Sequence, residues 1–146
     1  MPDSESAFEL HPRLRADTHL LGQFPLSMLL LMNDAHYPWF ILVPRRAGVS
    51  EIYQLTSDDQ VQLVHESSAL ARGLADCFAP DKLNIAALGN VVAQLHLHHI
   101  VRYSHDPAWP APVWGRVPPR AYTDGELTAL RAKVLACLGV DFAAAG

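Results

Sequence analysis

Residues 89–102, GNVVAQLHLHHIVR, restrict the fold of this chain more than any other stretch. Apolar and polar residues alternate there, and a period of two marks a β-strand, whose successive side chains point to opposite faces of a sheet. On that register Gln94, His96, His98 and Arg102 share one face. Leu95, Leu97, His99 and Val101 form the other, which reads as the core side. Gln, His, His and Arg side by side bury poorly against apolar neighbours but grip an anion well. The polar face is therefore a candidate binding or catalytic surface.

Three readings of this face stand open on the residues alone. It is a solvated strand face in a chain with eight histidines, or His96 and His98 are ligands of a metal in a metal-dependent hydrolase, or one of them is a nucleophile. Histidines at i and i+2 converge on one ion, and neutral imidazole is a common zinc ligand. No spaced third ligand follows, however: Cys77 and Cys137 stand far away in sequence, and His36 or His65 would have to be recruited through the fold. No metal and no cofactor is therefore assigned.

The third reading gains from a resemblance. Gly89-Asn90, then Gln94-Leu95-His96-Leu97-His98-His99-Ile100, resembles the signature of the histidine triad superfamily of nucleotide hydrolases and transferases, in which histidines alternate with apolar residues. Position by position, Gln94 falls at the first histidine, His96 at the central nucleophile and His98 at the third. The hairpin sequence repeats the family order too: Leu31-Met32-Asn33-Asp34, a turn, then Ile41-Leu42-Val43-Pro44. The resemblance implies that His96 attacks an α-phosphate, that His98 and Asn90 steady phosphate oxygens, and that Asn33 holds ribose hydroxyls. It implies dinucleoside polyphosphates or nucleoside phosphoramidates as substrates, and a homodimer. Two departures weaken catalysis on this reading: Gln94 cannot carry a proton or a charge, and Val91 stands where the family often has a phosphate-facing Ser or Thr. A nucleotide-binding protein with little turnover is the alternative.

The rest of the chain frames that site. Met28 to Met32 and Trp39 to Val43 are short apolar runs separated by the turn formers 33–38, which predicts an antiparallel hairpin. Ser57 with Gln60 is a capping-box pattern that opens a helix running to about Cys77, with Val61, Val64, Ala71, Leu74 and Phe78 as its apolar stripe, widened by Leu63 and Leu70. Residues 82–88 read as a strand, and Gly89-Asn90 as a two-residue turn that brings Asn84 near the reactive face. Residues 104–122, with five prolines from Pro107 to Pro119 around Trp109 and Trp114, read as an extended arm. Thr123 and Glu126 form a second capping box opening a helix over 123–139, with Leu127, Leu130, Val134 and Leu138 inward. The fold class is α+β, an antiparallel β-meander with packed helices, as one domain over 1–146 with 1–7 disordered; 8–21 leaves helix and strand both open.

Composition narrows the partners. A net charge of −4 excludes a nucleic-acid-coating surface, which needs a basic patch. The first residues lack a basic segment followed by an apolar run, so no signal peptide is expected. No apolar run is long enough to span a bilayer. Two unpaired, helix-borne cysteines suit a reducing cytoplasm. The expected partner is a nucleotide bound locally, with Asn33, Asn84, Asn90 and Arg102 as binding residues.

Overall fold

The computed structural model describes residues 7–146, so most of the tail expected to be disordered lies outside the described residues. A short helix α1 (Pro12–Asp17) leads directly into β1 (Thr18–Gln23), followed by β2 (Ser27–Met32) and β3 (Trp39–Pro44). A single 3-10 turn (Ile52–Gln54) precedes α2 (Ser57–Phe78), then come β4 (Lys82–Ala86), β5 (Leu97–Arg102), α3 (Asp124–Leu135) and β6 (Ala143–Ala144). The six strands form one sheet in the order β4-β5-β3-β2-β1-β6, antiparallel at every pairing. The first three strands run up and down in succession. Helix α2 then carries the chain across to the edge strand β4, and β5 returns between β4 and β3. No helix among the described residues is long and apolar enough to cross a membrane.

The hairpin β2–β3 forms where the two apolar runs predict it, with Leu29 opposite Leu42 and Leu31 opposite Phe40. Every residue of β3 is buried, because both sheet faces are covered. On one face α2 and α3 enclose Leu29, Leu31, Phe40, Leu42, Leu97 and Val101. On the other, Leu10 and Leu14 from the N-terminal segment and Ala108 and Val113 from the proline-rich arm cover Leu30, Trp39, Ile41 and Ile100. Full burial of one such aliphatic side chain contributes about 2 kcal/mol, so the arm and the segment form a second core layer.

Helix α2 differs from its predicted form in cap and in rotation. Thr56, not Ser57, is the N-cap, its hydroxyl accepting from the Asp59 amide at 3.1 Å, while the Gln60 side chain donates to the Leu55 carbonyl at 3.0 Å. The buried side is Leu63, Glu66, Ser67, Leu70, Gly73 and Leu74, and Val61 and Val64 point to solvent at 58% and 63% exposure. Glu66 explains the rotation. Its carboxylate accepts the backbone N–H groups of Leu26 at 2.7 Å and Ser27 at 3.0 Å, and charge-assisted bonds of this kind are about twice as strong as neutral ones. A hydrophobic count omits an inward-facing acid. Helix α3 opens as predicted, with the Thr123–Glu126 capping box present and Val134 buried, but it ends at Leu135 and not at 139. Cys137 follows in a turn and Leu138 in a bend, and Leu138 still packs with Leu127 and Leu130 against the core.

The histidine strand begins later than its alternation predicts. Strand β4 ends at Ala86 and β5 starts at Leu97, so residues 87–96 form a loop in place of a two-residue turn. Ala86 pairs with His98 and Lys82 with Arg102. The loop curls to serve both layers: Val92 packs under the arm side, whereas Leu95 packs on the helix side with its amide donating to the Val49 carbonyl at 2.9 Å. Gln94 and His96 are therefore loop residues, placed at the end of the strand.

Candidate active site

His96 is 5% exposed, and one hydrogen bond sets its chemistry. Its Nδ1 stands 2.7 Å from the Gln94 carbonyl. A carbonyl only accepts, so Nδ1 carries the hydrogen and the neutral ring keeps its lone pair on Nε2. Burial lowers the pKa below the ordinary 6.5, against the bond to Gln94, which raises it; nearby His11 lowers it further. At neutral pH the ring is an uncharged base with one aimed lone pair. Gly89 makes room for it, since a Cβ there would lie 2.6 Å from the Val92 carbonyl oxygen and 3.2 Å from His96 Cε1.

His98 lies edge-on to His96, the ring centroids 4.8 Å apart. The Trp39 indole N–H donates to its Nδ1 at 2.9 Å, so the hydrogen sits on Nε2, 3.0 Å from the Leu88 carbonyl. Burial first, and then the neighbouring His96 and His99, push its pKa down to about 4 although the bond to Leu88 raises it. The ring is a neutral donor at pH 7, and reaching a phosphate oxygen requires it to leave the Leu88 carbonyl. His99 faces the helices, as its register predicts: Ser67 Oγ donates to its Nε2 at 2.7 Å and Nδ1 donates to the Leu97 carbonyl at 3.1 Å. Burial pushes its pKa to about 4 as well. The metal reading finds no donor set: both nitrogens of His98 are engaged, and no three His, Cys, Asp or Glu side chains among the described residues are grouped to hold an ion.

Gln94 turns away from the reactive ring. Its Nε2 donates to the Glu9 carbonyl at 2.8 Å, and its Oε1 accepts the His11 amide at 2.9 Å. Both ends of the amide thus hold the N-terminal segment beside His96. Asn90 is exposed and lines two cavities that meet at His96, of about 170 and 200 Å³.

The other three expected binding residues lie outside both cavities. Arg102 is 1% exposed and enclosed beneath the arm, with Nε and Nη2 donating to Asp106 at 2.8 and 3.0 Å, Nη1 to Asn84 at 2.7 Å and Nη2 to the Ala111 carbonyl at 2.8 Å. Burial alone would raise the Asp106 carboxyl; the Arg102 bond and the Ala108 and Tyr103 amides outweigh it and hold the pKa below the usual range. Arg102 and Asn84 therefore anchor the arm to the sheet. Asn33 accepts the Tyr122 amide at 3.0 Å and fastens the arm's far end.

Sequence reasoning missed Arg13, Leu14 and Asp17 of α1, which build the cleft from outside the signature; of the two arm tryptophans, which either cover the core or a partner or close the site, Trp114 lines the cleft. It also missed Trp39, which the strand register reveals. Ile41 lies opposite His98, so alternation along β3 puts Trp39 on the His98 face.

The fold and the site together define a small α+β protein that presents a neutral, singly tethered imidazole at the end of a central strand. Residues 13–105 match the HIT domain model, and the chain belongs to the histidine triad (HIT) family. It is similar to a histidine triad protein from Marinobacter aquaeolei VT8 at 56% identity, covering 90% of this chain and 96% of that one, with a TM-score of 0.88. It is similar to one from Bradyrhizobium japonicum at 45% identity, with coverages of 90% and 98% and a TM-score of 0.88. A third, from Sinorhizobium meliloti 1021, is 40% identical, with coverages of 92% and 99% and a TM-score of 0.89. No curated protein matches.

Proposed function

We propose that this protein binds nucleotides and acts as a phosphohydrolase or nucleotidyl transferase, with His96 as the nucleophile. The observation that carries the reading is the single tether of His96: Nδ1–H on the Gln94 carbonyl, with no hydrogen bond to Nε2 among the described residues. The Nε2 lone pair forms a bond to the α-phosphorus as the bond to the leaving group breaks. The departing atom takes that electron pair and a proton from water. The remaining hydroxide, or another acceptor, then opens the nitrogen–phosphorus bond and frees His96. Asn90, and the His98 N–H once it leaves the Leu88 carbonyl, donate to the oxygens on which charge grows, and one such donor contributes about 3 kcal/mol.

Dinucleoside polyphosphates and nucleoside phosphoramidates are the substrate classes. A turnover screen of adenylyl and guanylyl members of both classes tests the reading, with product nucleotide expected from at least one. Absence of turnover alongside measurable nucleotide binding would leave a binding protein. That second reading is favoured by Gln94, whose amide is committed to the N-terminal segment, and by the low basicity of His98. The protein works as a cytoplasmic homodimer. Exposed Val61 and Val64 on α2 and Ile85 on the edge strand β4 support the pairing, because an open edge strand invites another chain, and two free cysteines suit a reducing compartment.

A further inference from the structure

His96 stands on the wall between two cavities of opposite character, and Gly89 and Asn90 line both with it. The first runs under α1 and the arm, where Leu14, Met32, Val92 and Trp114 give apolar and aromatic walls. The second lies on the other side of the loop, against Ser50, Glu51, Ala93 and Gln94. A phosphorus attacked at the shared wall carries a nucleoside on one arm and a leaving group on another. Aromatic and aliphatic walls suit the base and ribose, since ligand pockets are mostly apolar with a few placed polar groups. The polar cavity is left for the leaving group.

Glu51 is the one charged residue lining that polar cavity among the described residues. It is exposed, its backbone is fixed by its N–H donating to Gln54 Oε1 at 3.0 Å and its carbonyl accepting the Gln54 amide at 3.1 Å, and no ion pair among the described residues includes its carboxylate. No Lys or Arg among the described residues lines the cavity to offset it. We infer that Glu51 selects the leaving group by charge, favouring one that bears an ammonium and opposing one that bears phosphates. Specificity is a difference of affinities, and one carboxylate at the cavity wall supplies attraction to the first and repulsion to the second. This rests on the nucleotidyl-transfer reading and narrows it: phosphoramidates of cationic amines are the preferred class, ahead of dinucleoside polyphosphates.

The test compares three adenylyl compounds that differ in leaving group: a phosphoramidate of an alkyl diamine, a phosphoramidate of an uncharged alkyl amine, and diadenosine tetraphosphate. Wild type, Glu51→Gln and Glu51→Asp are measured with each. Glu51→Gln is expected to lower kcat/KM about tenfold for the diamine compound, to change the uncharged one less than about twofold, and to raise the tetraphosphate severalfold. Glu51→Asp is expected to retain the wild-type order. A parallel fall for all three would make Glu51 a cap of the 3-10 turn only and overturn the inference, as would three unchanged values. A change that follows the base in place of the leaving-group charge would put the nucleoside in the polar cavity, with the same consequence. If wild type turns over none of the three, the transfer reading fails, and the dissociation constants of the same compounds decide the inference by the same signs.

Discussion

Replacing Gln94 by alanine removes the two hydrogen bonds that hold the N-terminal segment against the reactive loop, from Nε2 to the Glu9 carbonyl and from the His11 amide to Oε1. The first is exposed and the second part-buried, and a net contribution of about 1 kcal/mol apiece gives about 2 kcal/mol for the pair. Free energy of that size, spent on local docking, raises the opened fraction of the segment about 30-fold. Hydrogen exchange at the His11 amide reads it directly, since that N–H is one of the two lost bonds. Gln94→His is an intermediate case. Its two ring nitrogens diverge and cannot reproduce the paired geometry of a primary amide, so one bond at most survives and exchange rises about fivefold, corresponding to about 1 kcal/mol. Exchange at His11 unchanged in Gln94→Ala would refute the argument that the amide clamps the segment.

Three further outcomes follow from the same geometry. Asp106→Ala strands the Arg102 guanidinium, buried with 1% side-chain exposure, and a thermal melt should show a loss of about 3–5 kcal/mol; a change under about 1 kcal/mol would contradict the anchor. His98 and His99 have folded pKa values of about 4 against an ordinary 6.5. The stability gained by keeping them neutral is thus complete above pH 6.5 and lost as pH falls through 6.5 towards 4, at up to about 3 kcal/mol per ring; urea midpoints that stay level down to pH 4.5 would contradict it. Light scattering at micromolar concentration should give a dimer, and a Val64→Asp variant should shift it to monomer; a monomeric wild type would sink that expectation.

The elements built from local patterns were legible: the apolar runs of β2 and β3 and the capping box of α3 each depend on residues close in sequence. What escaped depends on partners far away in the chain. Glu66 rotates α2 through backbone amides some 40 residues upstream. Alternation through Gln94 and His96 reads as strand, yet Val92 and Leu95 pull the loop into opposite core layers and delay β5 to Leu97. Arg102 reads as an anion-binding residue because its four hydrogen bonds go to positions 84, 106 and 111. At the site, the order of His96 and His98 was visible, while the tether on the Gln94 carbonyl and the Trp39 donor required the fold.

In the proposed mechanism His96 forms the covalent bond to the adenylyl group. Protein quenched in acid-free conditions within the first turnover of an adenylyl phosphoramidate, then mapped by peptide mass spectrometry, should carry one adenylyl group on His96, and His96→Ala should fold normally, carry no adduct and lose turnover by at least about 10³-fold. Wild-type turnover in His96→Ala, or an adduct on any other side chain, would contradict it.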